Sequence, residues 1–176
     1  MTIVFPDAVK AQGNLSVTVI PAASLSSVSA PSVAELAAEG VNVSMYMFTG
    51  AALPTKTTAT GEAPRRLGSK EMNTEFGTTT RAIADLSYVY DPQAAPGASV
   101  NAARDALVEG SKVYIVYRWG VDAEQPLAAG DKVDIWEAEL GPQNKGQTGD
   151  GDFDQLNIVQ SVISNTPPAE DVALVA

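Results

Sequence analysis

The sequence predicts a mainly β fold: an antiparallel β-sandwich or barrel with one flanking α-helix. Three observations predict it. Short apolar segments recur along the 176 residues, parted by Gly, Pro and Asn/Asp turns. Only two stretches carry a helical stripe with stop signals. Two segments, 112–119 and 155–164, lack a polar face, so both of their sides need cover.

The elements follow in order. Leu15–Ile20 alternates Leu, Val and Val against Ser and Thr and stops at Pro21. Residues 22–31 form a small-residue linker. Ser32 and Glu35 stand at capping-box spacing, and Gly40 fits the residue after the helix end, so 32–40 is a helix of about two turns. Val41–Phe48 puts Val41, Val43, Met45 and Met47 on one face of a strand. Residues 50–79 are rich in Thr, Gly, Pro and charge and show no period. They read as a long irregular loop of the kind that serves function or orders on a partner.

Thr80–Tyr90 alternates again, with Ala82, Ala84, Leu86, Tyr88 and Tyr90 on one side. Ser99–Glu109 carries a stripe of Val100, Ala103 and Leu107 and ends at Gly110, which predicts the better helix. Lys112–Trp119, Lys132–Leu140 and Gln155–Ser164 are strands, with a polar turn over 141–151. Pro167 and Pro168 break the last of them, and Asp171–Val175 adds a short edge strand. That makes six or seven strands. The faces left bare in a monomer would find cover by oligomerisation.

Composition excludes several chemistries. There is no cysteine, hence no disulfide, thiolate nucleophile or zinc finger; there is no histidine, hence no Ser–His–Asp triad or histidine switch. A net charge of −10 disfavours non-specific nucleic-acid binding. Val113–Tyr117, the longest apolar run, is too short to span a bilayer, and the first residues lack the pattern of a Sec signal. Neither a membrane nor a cofactor is expected.

The charge is uneven. Residues 1–90 hold 6 basic and 7 acidic residues; residues 91–176 hold 5 and 14. Within 56–81, Lys56, Arg65, Arg66, Lys70 and Arg81 outnumber Glu62, Glu71 and Glu75. Such patterning is either solvated scatter or a basic loop of one copy meeting an acidic face of another.

Candidate chemistry is sparse. Glu137 and Glu139, two apart on one strand, would sit roughly 6–7 Å apart. That overlaps the carboxylate spacing of glycosidases, but exposed aromatic platforms for a sugar are scarce. A solvated strand face and an acidic channel wall are the competing readings. Asp150, Asp152 and Asp154 alternate as in a calcium loop, yet Gln155 and Ser161 stand where an EF-hand needs Gly and Glu. Gly61–Ser69 has too few glycines for a phosphate cradle. Adjacent Ser69 and Lys70 would diverge. Arg118, inside an apolar strand, either snorkels out or meets an acid.

Five phrases, taken together in order, resemble a known family: 31-PSVAELAAEGVNVS-44, 85-DLSYVYDP-92, 114-YIVYRWG-120, 128-AAGDKVD-134 and 163-ISNTPP-168. The family is the major tail (tail tube) proteins of long-tailed actinobacteriophages. The resemblance implies a single tail-tube domain over 1–176, with an N-terminal arm at 1–14, a long loop at 50–79 and a C-terminal arm at 165–176. It implies a structural role without catalysis: homo-hexameric rings that stack into a tube, through which DNA passes without specific binding; the alternatives are an Ig-like decoration or adhesin module that recognises a ligand with the 50–79 loop, and a small glycosidase using Glu137 and Glu139. Tape-measure, terminator and distal-tail proteins would be further partners, and the virion tail the location, after assembly in the host cytoplasm. Asp85, Asp134, Glu137 and Glu139 would line the lumen. Lys56, Arg65, Arg66 and Lys70 would lie on the loop that joins stacked rings.

Overall fold

A computed structural model describes residues 7–176. The first six residues of the expected N-terminal arm therefore lie outside it; residues 7–14 run as exposed coil into the first strand. Nine strands and two short α-helices are described: β1 Leu15–Pro21, α1 Val33–Glu39, β2 Val41–Asn42, β3 Pro54–Glu62, β4 Thr74–Ile83, β5 Leu86–Val89, α2 Ala102–Ala106, β6 Lys112–Trp119, β7 Lys132–Gln147, β8 Leu156–Ile163 and β9 Ala169–Ala173. All strand pairs are antiparallel. The main sheet runs β2-β1-β6-β7-β8-β5, with β9 also on β7; β3 and β4 form a separate ribbon.

The sheet curls until its two edges are linked by one segment. After β2, the chain bonds Val43 N to Val17 O on β1, continuing that edge, then Phe48 N to Ser87 O and Val89 N to Tyr46 O on edge strand β5, each at 2.9 Å. The expected strand 41–48 is thus two pairing segments joined by a turn. Asn42 Oδ1 makes that turn by accepting from Ser44 N at 3.0 Å and Ser44 Oγ at 2.6 Å. A short polar side chain that mimics backbone outcompetes the alternating pattern here.

Strand parity separates two cores. Val17, Val19, Ile115, Tyr117, Trp136, Ala138, Leu140, Tyr88 and Ile158 fill the inside of the curl. Ile20, Val116, Val133 and Ile135 face outward and are covered by Leu36 of α1, Leu25 and Leu174. This explains why β6 shows no polar face: both of its sides are buried. Inside, Gln160 is fully buried and fully used. It donates to Gly141 O at 2.8 Å and Leu107 O at 3.2 Å, and accepts from Tyr88 Oη at 3.1 Å.

Helix α1 forms as the sequence indicates. Ser32 Oγ accepts from Ala34 N and Glu35 N, and Glu35 reaches back to Ser32 N. Seven residues are too few to hold a helix alone. The capping box contributes about 1 kcal/mol, and burial of Leu36 about 2 kcal/mol.

Several expectations are corrected. The segment 50–79 is no irregular loop: apart from 63–73 its body is the β3–β4 hairpin. Both faces of that ribbon are exposed, so no apolar alternation marks it. Its threonines supply β-branched propensity instead. The single strand expected over 80–90 breaks at Ala84-Asp85, where the chain leaves the ribbon for the sheet. The helix expected over 99–109 shrinks to a 3₁₀ turn, Ser99–Asn101, and α2, although Ala103 and Leu107 bury as the stripe implied. Strand β7 runs on to Gln147 through what reads as a turn, bulging between Leu140 and Gln143. The short edge strand expected over 171–175 forms two residues earlier, as β9 Ala169–Ala173 paired with β7.

Candidate assembly and lumen surfaces

Strand β7 positions three of the four acids proposed from sequence, and it splits them. Even-numbered residues of β7 face the inside of the curl, in register with Tyr117, Ile115 and Val113 of β6. Asp134 therefore sits at one open end of that interior. Its Oδ2 accepts from Trp119 Nε1 at 2.9 Å, and its Oδ1 from Asp171 N at 2.8 Å. Both carboxylate oxygens are engaged in holding other parts of the chain.

Glu137 and Glu139 share the outward face with Val133 and Ile135, and no bulge of β7 separates them from those residues. What intervenes is the edge of the cover: α1 and Leu174 protect the first half of the strand and leave the second half bare. Glu139 lies opposite Lys112 and Glu137 opposite Tyr114. Glu137 Oε2 accepts from Thr166 Oγ1 at 2.7 Å. The hollow beside them is about 110 Å³ and is lined by Ile163, Asn165 and Thr166 as well. Among the described residues no aromatic ring lines it, so it offers no platform for a sugar.

Asp85 is exposed and belongs to the Ala84-Asp85 link rather than to a strand; its carbonyl accepts from Ala52 N at 3.3 Å. The structure thus joins Glu137 to Glu139 and sets Asp134 and Asp85 elsewhere.

The β3–β4 ribbon carries the basic residues. Register runs from Pro54 opposite Ile83 to Glu62 opposite Thr74, and β4 holds one extra residue between Phe76 and Thr79. Thr58 and Thr79 share a hydroxyl–hydroxyl bond of 2.8 Å across the strands. Lys56, near the root, pairs with Glu170 of β9 and ties the ribbon to the C-terminal strand. Arg65, Arg66 and Lys70 stand exposed at the tip, together with Leu67 and Met72, and Phe76 is bare on the ribbon's side. Sequence reading picked out the charges and missed these apolar residues. An apolar residue every few positions in a Thr-rich stretch was the available signal.

Arg118 does not snorkel. Its side chain is 2% exposed and its guanidinium donates to Asp131 Oδ2 and Pro126 O, each at 2.9 Å, and to the carbonyls of Asp122 and Gln125. Burial pushes the Asp131 carboxyl up, but the Arg118 hydrogen bond, the Ala128 N–H and the Arg118 charge together hold it below the usual value. In the 148–155 turn, Asp154 accepts from Thr148 Oγ1 at 2.7 Å and from Gly151 N. These two bonds lower its pKa and account for the turn without a cation. Among the described residues no three acids gather as a metal site, and no helix is long and apolar enough to cross a membrane.

A search of curated proteins finds no match. The family model for phage tail tube proteins matches residues 3–176. That match spans the whole curled sheet, ribbon and terminal strands described above, and the chain belongs to the phage tail tube protein family.

Proposed function

We propose that this structural tail-tube subunit assembles into hexameric rings, that the rings stack into the tail tube, and that DNA leaves the capsid through the bore. One observation carries the reading: the β3–β4 ribbon is long, two-stranded and exposed on both faces. An isolated ribbon of this kind is marginal in water, so its cover comes from another subunit. The basic tip then bridges neighbouring rings, with Arg65, Arg66 and Lys70 making the contact and Lys56 anchoring the root to Glu170.

Glu137 and Glu139 fit the lumen better than Asp134 or Asp85. They lie on a bare sheet face, and their carboxylates repel phosphate. With a Debye length of about 8 Å, such repulsion acts only at the wall, enough to keep DNA from adhering. A basic wall would hold DNA through counterion release. Glycoside hydrolysis by the same pair is the weaker reading, since the hollow is shallow and lacks aromatic rings. Tape-measure, terminator and distal-tail proteins are the expected neighbours in the virion tail, after assembly in the host cytoplasm.

Negative-stain microscopy of concentrated protein tests the proposal. Rings and tubes about 10 nm wide are expected. Replacing 56–80 by a short turn should leave rings and abolish stacking. A chain that stays monomeric at millimolar concentration would overturn it.

A further inference from the structure

The two ends of the molecule differ, and they complement each other. Strand β7 starts at Lys132, beside Trp119, and ends at Gln147, below the 148–155 turn. Sixteen residues place these ends about 50 Å apart along the strand.

The first end holds an apolar groove of about 840 Å³ at the mouth of the curl. Leu15, Met47, Phe48, Leu53 and Trp119 line it, and Lys10 is its charged residue. Trp119 is 47% exposed there. The ribbon runs toward the same end. Its strand β4 leads into β5, whose residues 86–89 pair with 160–157 of β8, so residues before 86 extend β5 away from the 148–155 turn. The Lys56–Glu170 pair confirms the direction, because Glu170 lies next to Ala169, the partner of Ile135 near the start of β7.

The second end holds the 148–155 turn. Phe153 is 96% exposed at its tip, flanked by Asp152 and Asp154, with Asp150 close by. An aromatic side chain bare at a turn tip offers a large apolar surface to a contact.

We infer that the 148–155 turn of one copy seats in the mouth groove of the next, with Phe153 against Trp119 and its acids beside Lys10 under the basic ribbon. The occupant is a second copy because one end supplies what the other lacks: an aromatic for an apolar groove, and carboxylates for its lysine. A contact between opposite ends is head-to-tail, and repeated along one axis it builds an open stack. The inference rests on the tube reading and names the surfaces by which rings meet.

The test uses the full chain. Phe153→Ser should fold normally, with an unchanged melting temperature, because the side chain touches solvent. It should still form rings, yet need about tenfold more protein to form tubes, by sedimentation and microscopy. Tube formation should shift Trp119 emission to the blue in the wild type and in a Trp136→Phe control. Asp152→Lys should weaken stacking, and adding Lys10→Glu should restore it.

Tubes from Phe153→Ser at the wild-type concentration would overturn the inference. So would a Phe153→Ser chain unable to form single rings, which would put the turn inside the ring. Failure of Lys10→Glu to restore Asp152→Lys would overturn the charge pairing. If the wild type itself gives neither rings nor tubes, the tube reading falls first, and the two failures are told apart.

Discussion

The Asp134 carboxylate holds Trp119 and the backbone of Asp171 at once, at 2.9 and 2.8 Å. Trp119 ends β6 and Asp171 is in β9, so one side chain joins three strands at the mouth of the curl. Asp171 has φ 54°, a left-handed conformation that costs a non-glycine residue energy and persists only where its surroundings impose it. Asp134→Ala should therefore cost about 1–3 kcal/mol, release β9 and free the Trp119 ring. Faster amide exchange over 169–173 and a red-shifted Trp119 emission are the measures. Unchanged exchange in β9 would contradict the role.

The Arg118–Asp131 pair predicts an acid sensitivity with a definite sign. The folded carboxyl has a lowered pKa, so its stabilisation is present above the unfolded value of about 4 and is lost as pH falls through the folded value. Arg118 also fastens the 120–131 loop through three carbonyls. Asp131→Asn should cost about 2 kcal/mol at neutral pH and flatten the loss of stability below pH 4 in denaturant titrations. A variant whose acid limb matches the wild type would refute the assignment.

Much of the fold was legible wherever one face of an element is buried. Strands β1, β6 and β8 and helix α1 stand within a residue or two of their sequence positions, because alternation in β1, apolar runs without a polar face in β6 and β8, and a capping box report burial and orphan amides directly. The ribbon was not legible, since a strand exposed on both faces has no apolar period to detect. The continuation of β7 to Gln147 was hidden by the same polarity, and α2 was overestimated because Gly110 marks the end of a turn and not of the helix. For the site, the pairing of Glu137 with Glu139 followed from spacing alone. That Asp134 points the other way also follows from strand parity; that it is bonded needed the position of Trp119. The groove could not be read at all: Leu15, Met47, Leu53 and Trp119 meet only through the curl.

Gly40 shows how a glycine can be required without an unusual φ. It follows the last residue of α1, as the sequence indicates, and its φ is −83°. A Cβ here would lie 2.3 Å from the Leu36 carbonyl oxygen and 2.9 Å from the Thr18 side chain. The backbone oxygen cannot yield without opening the last turn of α1. Gly40→Ala should lower stability by about 1–3 kcal/mol in thermal unfolding. Gly61→Ala on the ribbon meets open space and should be neutral or slightly stabilising through the unfolded chain. Equal effects at the two sites would show that α1 tolerates the added carbon.

Reversing the charge of the bare β7 face tests the lumen directly. Glu137 and Glu139 lie past the cover of α1, so lysine at either position meets solvent and disturbs no core contact, apart from the Glu137 bond to Thr166. A lysine in place of Glu139 would also face Lys112 across the strands, a surface repulsion that costs a few tenths of a kcal/mol, so the Glu137→Lys/Glu139→Lys chain should fold and form tubes. If six copies surround the bore, each ring gains twelve positive groups where it had twelve negative ones. Each phosphate contact then releases counterions, so DNA retention should rise and fall steeply with salt. Phages assembled with this chain should eject more slowly at low salt and recover at high salt. The matched variant Asp134→Asn, which alters a bonded carboxylate and adds no positive group, should change stability and leave the salt dependence of ejection as it was. Ejection indifferent to charge and salt in the double lysine variant would place these glutamates on the outer wall of the tube, leaving the tail-tube assignment in place.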